Sequence, residues 1–199
     1  MPARKTTARK PSLKRATASP PMRIRVTLLY TAPPVWREFL VDPEMNLSDF
    51  SHMLIPGMGW EGGHMHEISK GRTRYRPASP FGMDEGDDDG ETDAAKTVLN
   101  AVIEKKGSSC RWTYDFGDSW EHEIKVVESG VEWSGALPFC TGGARACPPE
   151  DCGGIPGYEN LCDAMKDKEH PERLDLIEWL GEEFDPEAFS AAKVNGRLR

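Results

Sequence analysis

The sequence predicts an α+β fold: an antiparallel sheet built mostly from the N-terminal two-thirds of the chain, packed by short helices that include a C-terminal helical segment. Two observations predict it. Several segments before residue 128 alternate apolar and polar residues, as half-buried strands do. After residue 156, apolar residues recur at helical spacing instead. Because strands and helices are segregated along the chain, an antiparallel sheet is favoured over a βαβ arrangement.

The ordered part of the chain begins with two predicted strands and a short helix. Alternation is clean over 22–30, and a second strand over 35–41 follows a pair of prolines. Asn46 is a candidate N-cap for the helix behind it. We expect this helix to stop near Ile55, because Pro56 comes next.

The middle of the chain is predicted to contain two more strands and a longer helix. The strands cover 63–68 and 72–75, and the acidic loop 76–93 comes after them. Thr92 is positioned to cap the helix and Gly107 to end it, with apolar residues at helical spacing between the two.

The clearest local prediction is a β-hairpin made of 109–116 and 120–127, joined by the turn 117–119. The residues that alternate onto one face are apolar or aromatic, with one histidine: Cys110, Trp112, Tyr114, Phe116, Trp120, His122, Ile124 and Val126. The Gly-, Pro- and Cys-rich segment 128–156 that follows is predicted to be irregular.

Three helices are predicted at the C-terminal end. The first is marked by the spacing of Tyr158 and Leu161, and the second runs from Pro171 to a stop at Gly181. Asp185 is a candidate cap of the third, with a proline in the first helical position after it.

Length and charge predict a basic tail and one domain. A chain of 199 residues is typical of one domain, which we place at 22–199, behind a disordered tail at 1–21. The first 25 residues hold eight Lys or Arg and no acid, a charge of +8; since the total is −8, the remainder carries −16. Such an acidic body disfavours duplex binding, whereas the tail allows a weak nucleic-acid contact. The sequence has no apolar run long enough for a membrane span and no signal peptide, so we expect a cytoplasmic protein without a membrane partner.

Residues 114–122, YDFGDSWEH, resemble a segment of the Ri-plasmid Orf-3-like family, whose members are often labelled TnpR. Other segments match the family pattern in order: PPVWR at 33–37, MGW at 58–60, HMHE at 64–67, ARACPPEDCGG at 144–154, GY at 157–158 and FDPEAF at 184–189. The resemblance covers about 23–199 and implies a compact α+β fold in a plasmid- or transposon-linked context, without implying a reaction. The chain departs from the pattern at 55–57, where the family continues the helix.

The TnpR label suggests a recombinase, which the residues do not support. A serine recombinase needs an early catalytic serine and a C-terminal helix-turn-helix. The early Ser and Thr residues here lie in the predicted tail, and the chain ends in a short capped helix. We therefore expect no recombinase or resolvase activity.

Three cysteines of the Gly/Pro-rich loop, Cys140, Cys147 and Cys152, form a candidate zinc site with His122 or Asp151 as the fourth ligand. Their spacing differs from the paired C-x₂-C pattern, so buried thiols or a redox pair are alternatives. The sequence is compatible with zinc as a cofactor, but it does not require a cofactor.

A second candidate site combines histidines and acids, and it serves as a ligand or partner surface. His64 and His66 project from one strand face, and with Asp115 or Asp118 they could bind a metal or exchange protons; hydrogen bonding within a wet sheet face is the alternative. The turn residue Trp120 and the adjacent His122 complete the candidate surface, although the turn also has a purely structural interpretation.

The sequence favours a non-catalytic binding or accessory module with an unidentified protein or peptide as partner. No P-loop, dinucleotide fingerprint, nucleophile elbow or H-E-x-x-H motif is present, which removes the commonest enzyme classes without excluding catalysis. Two alternatives remain: a zinc-binding protein or metal-dependent enzyme that uses the cysteine loop, and a DNA-binding accessory factor that acts through residues 1–21.

Overall fold

The computed structural model describes residues 19–77 and 91–199, and in this part of the chain eight strands form one sheet. The strands are β1 Met22–Leu28, β2 Trp36–Val41, β3 His66–Lys70, β4 Thr73–Arg76, β5 Glu91–Asp93, β6 Ser109–Tyr114, β7 Trp120–Glu128 and β8 Phe139–Ala144. The helices are α1 Leu47–Met58, α2 Leu99–Val102, α3 Gly154–Lys166, α4 Arg173–Leu180 and α5 Ala191–Arg197, with a 3₁₀ turn at Ala94–Lys96.

The spatial order of the strands is β5-β4-β3-β6-β7-β1-β2-β8. Neighbouring strands are antiparallel except for the parallel pair β4 and β5. This arrangement confirms the predicted α+β class with a mostly antiparallel sheet.

The side chains on one face of the sheet point into the hydrophobic core. The predicted hairpin forms as β6 and β7, and its register places Trp112 opposite His122 and Tyr114 opposite Trp120. All four side chains are fully buried, as is Ile24 of the neighbouring β1. Alternation therefore predicted the pairing and the buried face of these strands, except at Phe116, which lies in the turn after β6 and is exposed.

The opposite face of the sheet carries charged side chains. Arg25 pairs with Glu38 of β2 at 2.6 Å, and Arg111 pairs with Glu121 of β7. These pairs join adjacent strands across an exposed surface, so they add little stability but keep that face polar.

The helix α1 differs from its prediction because it runs through Pro56 to Met58. Asn46 caps it as expected, since its side chain accepts a hydrogen bond of 2.8 Å from the Asp49 amide. A proline in the last turn removes a single amide donor, and the helix still closes where the amides of Gly59 and Trp60 both donate to the Ile55 carbonyl. The predicted stop at Ile55 is therefore wrong.

The long helix predicted behind Thr92 is also wrong. Asp93, not Thr92, caps the 3₁₀ turn, and the chain is extended at Thr97 and Val98 before the four-residue α2. The extended part bonds to the start of α1, because the Leu47 amide donates to the Thr97 carbonyl at 2.8 Å. These long-range backbone bonds replace the helical ones. Leu99, one of the apolar residues at helical spacing in this segment, is nevertheless buried.

Two elements at the C-terminal end differ from the predictions as well. The segment predicted to be irregular contains the edge strand β8, which pairs with β2. Asp185 and Pro186 form a turn, and the last helix begins only at Ala191, where Ser190 is the cap. The Asp185 side chain does accept a hydrogen bond from the Glu187 amide, as an N-cap would, but the Ala188 amide donates to the Asp185 carbonyl and closes a single turn that does not continue as a helix.

Several predictions fall on residues outside the described part of the chain. These are the basic tail up to residue 18 and most of the acidic loop, from 78 to 90. Among the described residues, no helix combines the length and apolar character that crossing a membrane requires.

Candidate functional site

Trp60 is the centre of an aromatic cluster that supports the candidate site. Its ring stacks on Tyr114 with centroids 4.7 Å apart and meets His122 edge-on at 5.3 Å. Its indole nitrogen donates a 3.0 Å hydrogen bond to the Pro148 carbonyl. Trp60 therefore fixes the loop after β8 to the core of the sheet.

Asp115 is placed by the end of β6. It adopts a left-handed backbone with φ 55, and its amide donates to the Met65 carbonyl at 2.9 Å. One carboxylate oxygen, Oδ1, accepts a 2.8 Å hydrogen bond from the Gly117 amide. This bond leaves the second oxygen, Oδ2, to face His64, while the residue as a whole is buried. Aspartate tolerates this backbone because its short side chain bonds locally.

The loop 145–153 brings two further carboxylates to the same place. Glu150 accepts hydrogen bonds at one oxygen, Oε1, from the Tyr114 hydroxyl at 2.9 Å and from the Glu61 amide at 3.1 Å. Burial, and then the Glu150 carboxylate, raise the pKa of the Tyr114 phenol, so it stays a hydrogen-bond donor. Asp151 follows with a left-handed backbone, φ 55, and an exposed side chain.

We call His64, Asp115, Glu150 and Asp151 the His64 cluster. The imidazole Nδ1 lies 3.4 Å from Asp115 Oδ2, and Nε2 lies 3.7 Å from Glu150 Oε2 and 3.6 Å from Asp151 Oδ1. One donor atom each from His64, Asp115 and Asp151 lies within 4.8 Å of the other two. Glu150 Oε2 is buried and has no hydrogen-bond partner. This set of one nitrogen and several carboxylate oxygens matches the ligands of a divalent cation.

The structure thus brings together His64 and Asp115 of the predicted surface, and adds Asp151, which was predicted as a ligand for the cysteines. Sequence reasoning missed Glu150. The signal available was the acidic pair at 150 and 151, but nothing in the spacing relates this loop to the hairpin.

His66 and Asp118 lie outside the cluster. The His66 ring packs edge-on against His52 at 5.8 Å, and burial, with His52 as a lesser cause, lowers its pKa. Both of its ring nitrogens are buried without a hydrogen-bond partner. Asp118 Oδ2 accepts a 3.2 Å hydrogen bond from the Gly153 amide and so holds the far end of the loop.

Trp120 and His122 are core residues. Both have zero exposure, so in this structure neither side chain reaches a partner at the surface. His122 is enclosed by aromatic rings, with the Trp112 centroid 4.7 Å away. Both pack against Trp60, whose ring stacks on Tyr114, and neither lines the His64 cluster.

The three loop cysteines do not form a ligand set in the described part of the chain. All five cysteines are free thiols, and the Cys140 sulfur lies 3.4 Å from the Gly142 carbonyl. The positive charge of buried Arg37 acts on both Cys140 and Cys147. A cation beside these thiols disfavours a second cation there.

Comparison with known proteins gives one consistent result. Residues 21–193 match the family model described as plasmid pRiA4b ORF-3-like protein. A curated relative, the uncharacterized protein y4hQ of Sinorhizobium fredii, is 34% identical over 87% of this chain and 88% of its own. The crystal structure of MM3350 from Methanosarcina mazei, titled a protein of unknown function, is 30% identical with a TM-score of 0.75, over 87% of this chain and 95% of that one. Neither title names an activity, a ligand or a partner.

Proposed function

The chain belongs to the plasmid pRiA4b ORF-3-like family, and we propose that it is a non-catalytic binding module of that family which holds a divalent cation at the His64 cluster. The observation that carries the proposal is the convergence of donors from His64, Asp115 and Asp151 within 4.8 Å. These residues come from three separate segments of the chain, so their meeting is a product of the fold and not of local sequence.

Distances support a cation between these groups. Ligands that lie about 2.0–2.2 Å from a tetrahedral metal are about 3.3–3.6 Å apart. His64 Nε2 lies 3.6 Å from Asp151 Oδ1, close to that spacing, whereas Asp115 Oδ2 lies 3.4 Å from the other ring nitrogen, Nδ1, and has to move toward a metal bound at Nε2. Glu150 adds a third carboxylate at 3.7 Å, whose buried free oxygen has no other partner.

Charge supports the same conclusion. Three carboxylates carry −3, while a protonated His64 supplies at most +1, so the cluster keeps an excess of negative charge. Like charges held together destabilise the folded chain unless a cation compensates them. A divalent ion supplies that compensation without protonating the acids.

The ligand set favours Zn²⁺ or Mn²⁺. Imidazole nitrogen suits zinc, carboxylate oxygens suit manganese, and Ca²⁺ prefers six to eight oxygens, which this cluster does not offer. The exposed side of the cluster, at Asp151, leaves coordination positions open to solvent. A water molecule or a neutral donor group of a protein or peptide partner would bind there.

Isothermal titration calorimetry with Mn²⁺ tests the proposal, because manganese discriminates against thiols. We expect about one ion per chain, and a loss of affinity of about tenfold or more in Asp115→Asn and in Asp151→Asn. Asparagine tolerates the left-handed backbone and, at position 115, keeps the turn bond to Gly117. Asp163→Asn is the matched control, since it removes the same charge from an exposed position on α3, where its partner is Lys166, and its affinity should be unchanged.

Zinc binding separates this site from the predicted cysteine site. We expect Asp151→Asn to lose Zn²⁺ and Cys147→Ser with Cys152→Ser to keep it. The reverse pattern would assign the metal to the cysteine loop. Absence of saturable binding of both Mn²⁺ and Zn²⁺ to the wild-type chain would overturn the proposal.

A further inference from the structure

A cavity of about 280 Å³ lies between the C-terminal end of α1, the loop after β8 and the helix α5. Three cationic side chains, Arg37, Lys193 and Arg197, line it together with Cys147 and the ring of Phe189. None of the described residues that line the cavity is an aspartate or a glutamate. This concentration of positive charge stands out in a chain whose net charge is −8.

Arg37 is the buried cation of this cavity, with 3% exposure. Its Nη1 donates to the carbonyls of Trp36 at 2.8 Å and Ala144 at 2.9 Å, and its guanidinium lies 4.8 Å from the Phe189 ring centre. Its Nε is buried and has no hydrogen-bond partner. The described chain supplies no carboxylate that pairs with this charge.

Helix capping explains part of this arrangement. Arg37 Nη2 lies 3.4 Å from the Met58 carbonyl, and Arg197 Nη1 donates to the Gly59 carbonyl at 3.0 Å. The C-terminal end of a helix carries a partial charge of about −0.5, which offsets only a fraction of three full positive charges. Since Lys193 has no such bond to the end of α1 among the described residues, capping leaves most of the charge uncompensated.

We propose that this cavity binds the phosphate group of a small organic phosphate. A phosphate group carries up to two negative charges and three terminal oxygens, which matches three cationic donors better than a carboxylate does. The wall made by Phe189, Met58 and Val194 gives the remainder of the ligand an apolar surface. This site lies apart from the His64 cluster and attracts the opposite charge.

Inorganic phosphate is the probe that tests the proposal, titrated against the full chain in metal-free buffer at constant ionic strength. We expect saturable binding and a rise in Tm, with acetate binding about tenfold more weakly. Lys193→Gln and Arg197→Gln should each weaken phosphate binding, and the double variant by about tenfold or more. Both side chains are exposed, so these variants should fold.

Lys166→Gln is the matched control, because it removes one exposed lysine charge from α3, away from the cavity. Phosphate affinity unchanged in the control and reduced in the double variant would support the site. Equal loss in control and double variant would indicate non-specific screening and overturn it, as would acetate binding as tightly as phosphate. Asp151→Asn should bind phosphate normally, so a failure of the cation site and a failure of this site are distinguishable.

Discussion

His122 shows how a single buried residue links this fold to pH. Burial lowers its pKa to about 3, while the nearby backbone of Trp112 and Trp120 acts weakly in the opposite direction. Its Nδ1 lies 3.3 Å from the Trp112 carbonyl, and its Nε2 is buried without a partner. A proton on this ring would therefore place an unpaired charge in the aromatic core.

We predict that the free energy of unfolding falls as pH drops from about 6.5 toward 3. Over this range the unfolded chain takes up a proton at His122 and the folded chain does not, at a cost of up to about 1.4 kcal/mol per pH unit. The stability that comes from keeping His122 neutral in the core is fully present above pH 6.5. His122→Phe keeps a ring between Trp60 and Trp112 but cannot titrate, so its stability should depend less steeply on pH in urea unfolding.

The comparison needs as its control a second core substitution that leaves His122 in place. Phe39→Leu alters a fully buried ring without removing a titratable group, so it should keep the wild-type pH dependence. If the free energy of unfolding of the wild type and of His122→Phe changed equally with pH between 7 and 4.5, the lowered pKa of His122 would be contradicted.

At the scale of elements, two helical glycines have opposite surroundings. A Cβ added at Gly57 in α1 would lie 2.9 Å from the buried ring of Phe39, whereas one added at Gly196 in α5 would meet nothing within 4 Å. Alanine is the better helix former by about 1 kcal/mol at either position. Packing therefore decides whether alanine stabilises or destabilises the chain at Gly57, and helix propensity decides this at Gly196.

We predict that Gly196→Ala stabilises the chain by about 0.5–1 kcal/mol and that Gly57→Ala destabilises it by about 1–2 kcal/mol. The two variants are matched, since each adds one methyl group to a helix with ordinary backbone angles. Chemical unfolding midpoints at equal m-values measure both. A stabilised Gly57→Ala would show that α1 shifts easily away from β2.

Elements with two-residue alternation were predictable from sequence, and those fixed by distant partners were not. The hairpin β6–β7 follows from its apolar face alone. The strand β8 does not, because its glycines allow close packing that only the folded chain reveals: a Cβ at Gly143 would lie 2.5 Å from Phe189. The residues of the candidate site fall into the same two groups, those predictable from sequence and those fixed by distant partners. His64 and Asp115 lie near one hairpin, while Glu150 reaches them through a loop whose position depends on Trp60.

At the scale of the whole molecule, the loop 145–153 joins the two proposed sites. Its first residues, Ala146 and Cys147, line the cationic cavity, and Glu150 and Asp151 belong to the His64 cluster. Arg145 anchors the start of the loop with 5% exposure, donating to the Pro33 carbonyl at 2.9 Å and pairing with Glu187 at 3.0 Å. The core therefore supports both sites through one segment.

We predict that Arg145→Met weakens Mn²⁺ and phosphate binding together. Loss of the buried bond to Pro33 should cost about 1–3 kcal/mol, less than the usual stability of a domain, so the variant should fold while its loop is no longer held at one end. Calorimetry with each ion measures the effect. Glu187→Gln is the control: it removes an exposed partner but leaves the bond to Pro33, so both affinities should stay near wild type. If Arg145→Met folds and one affinity falls while the other is unchanged, the sites have separate supports, and the loop positions only the one that was lost.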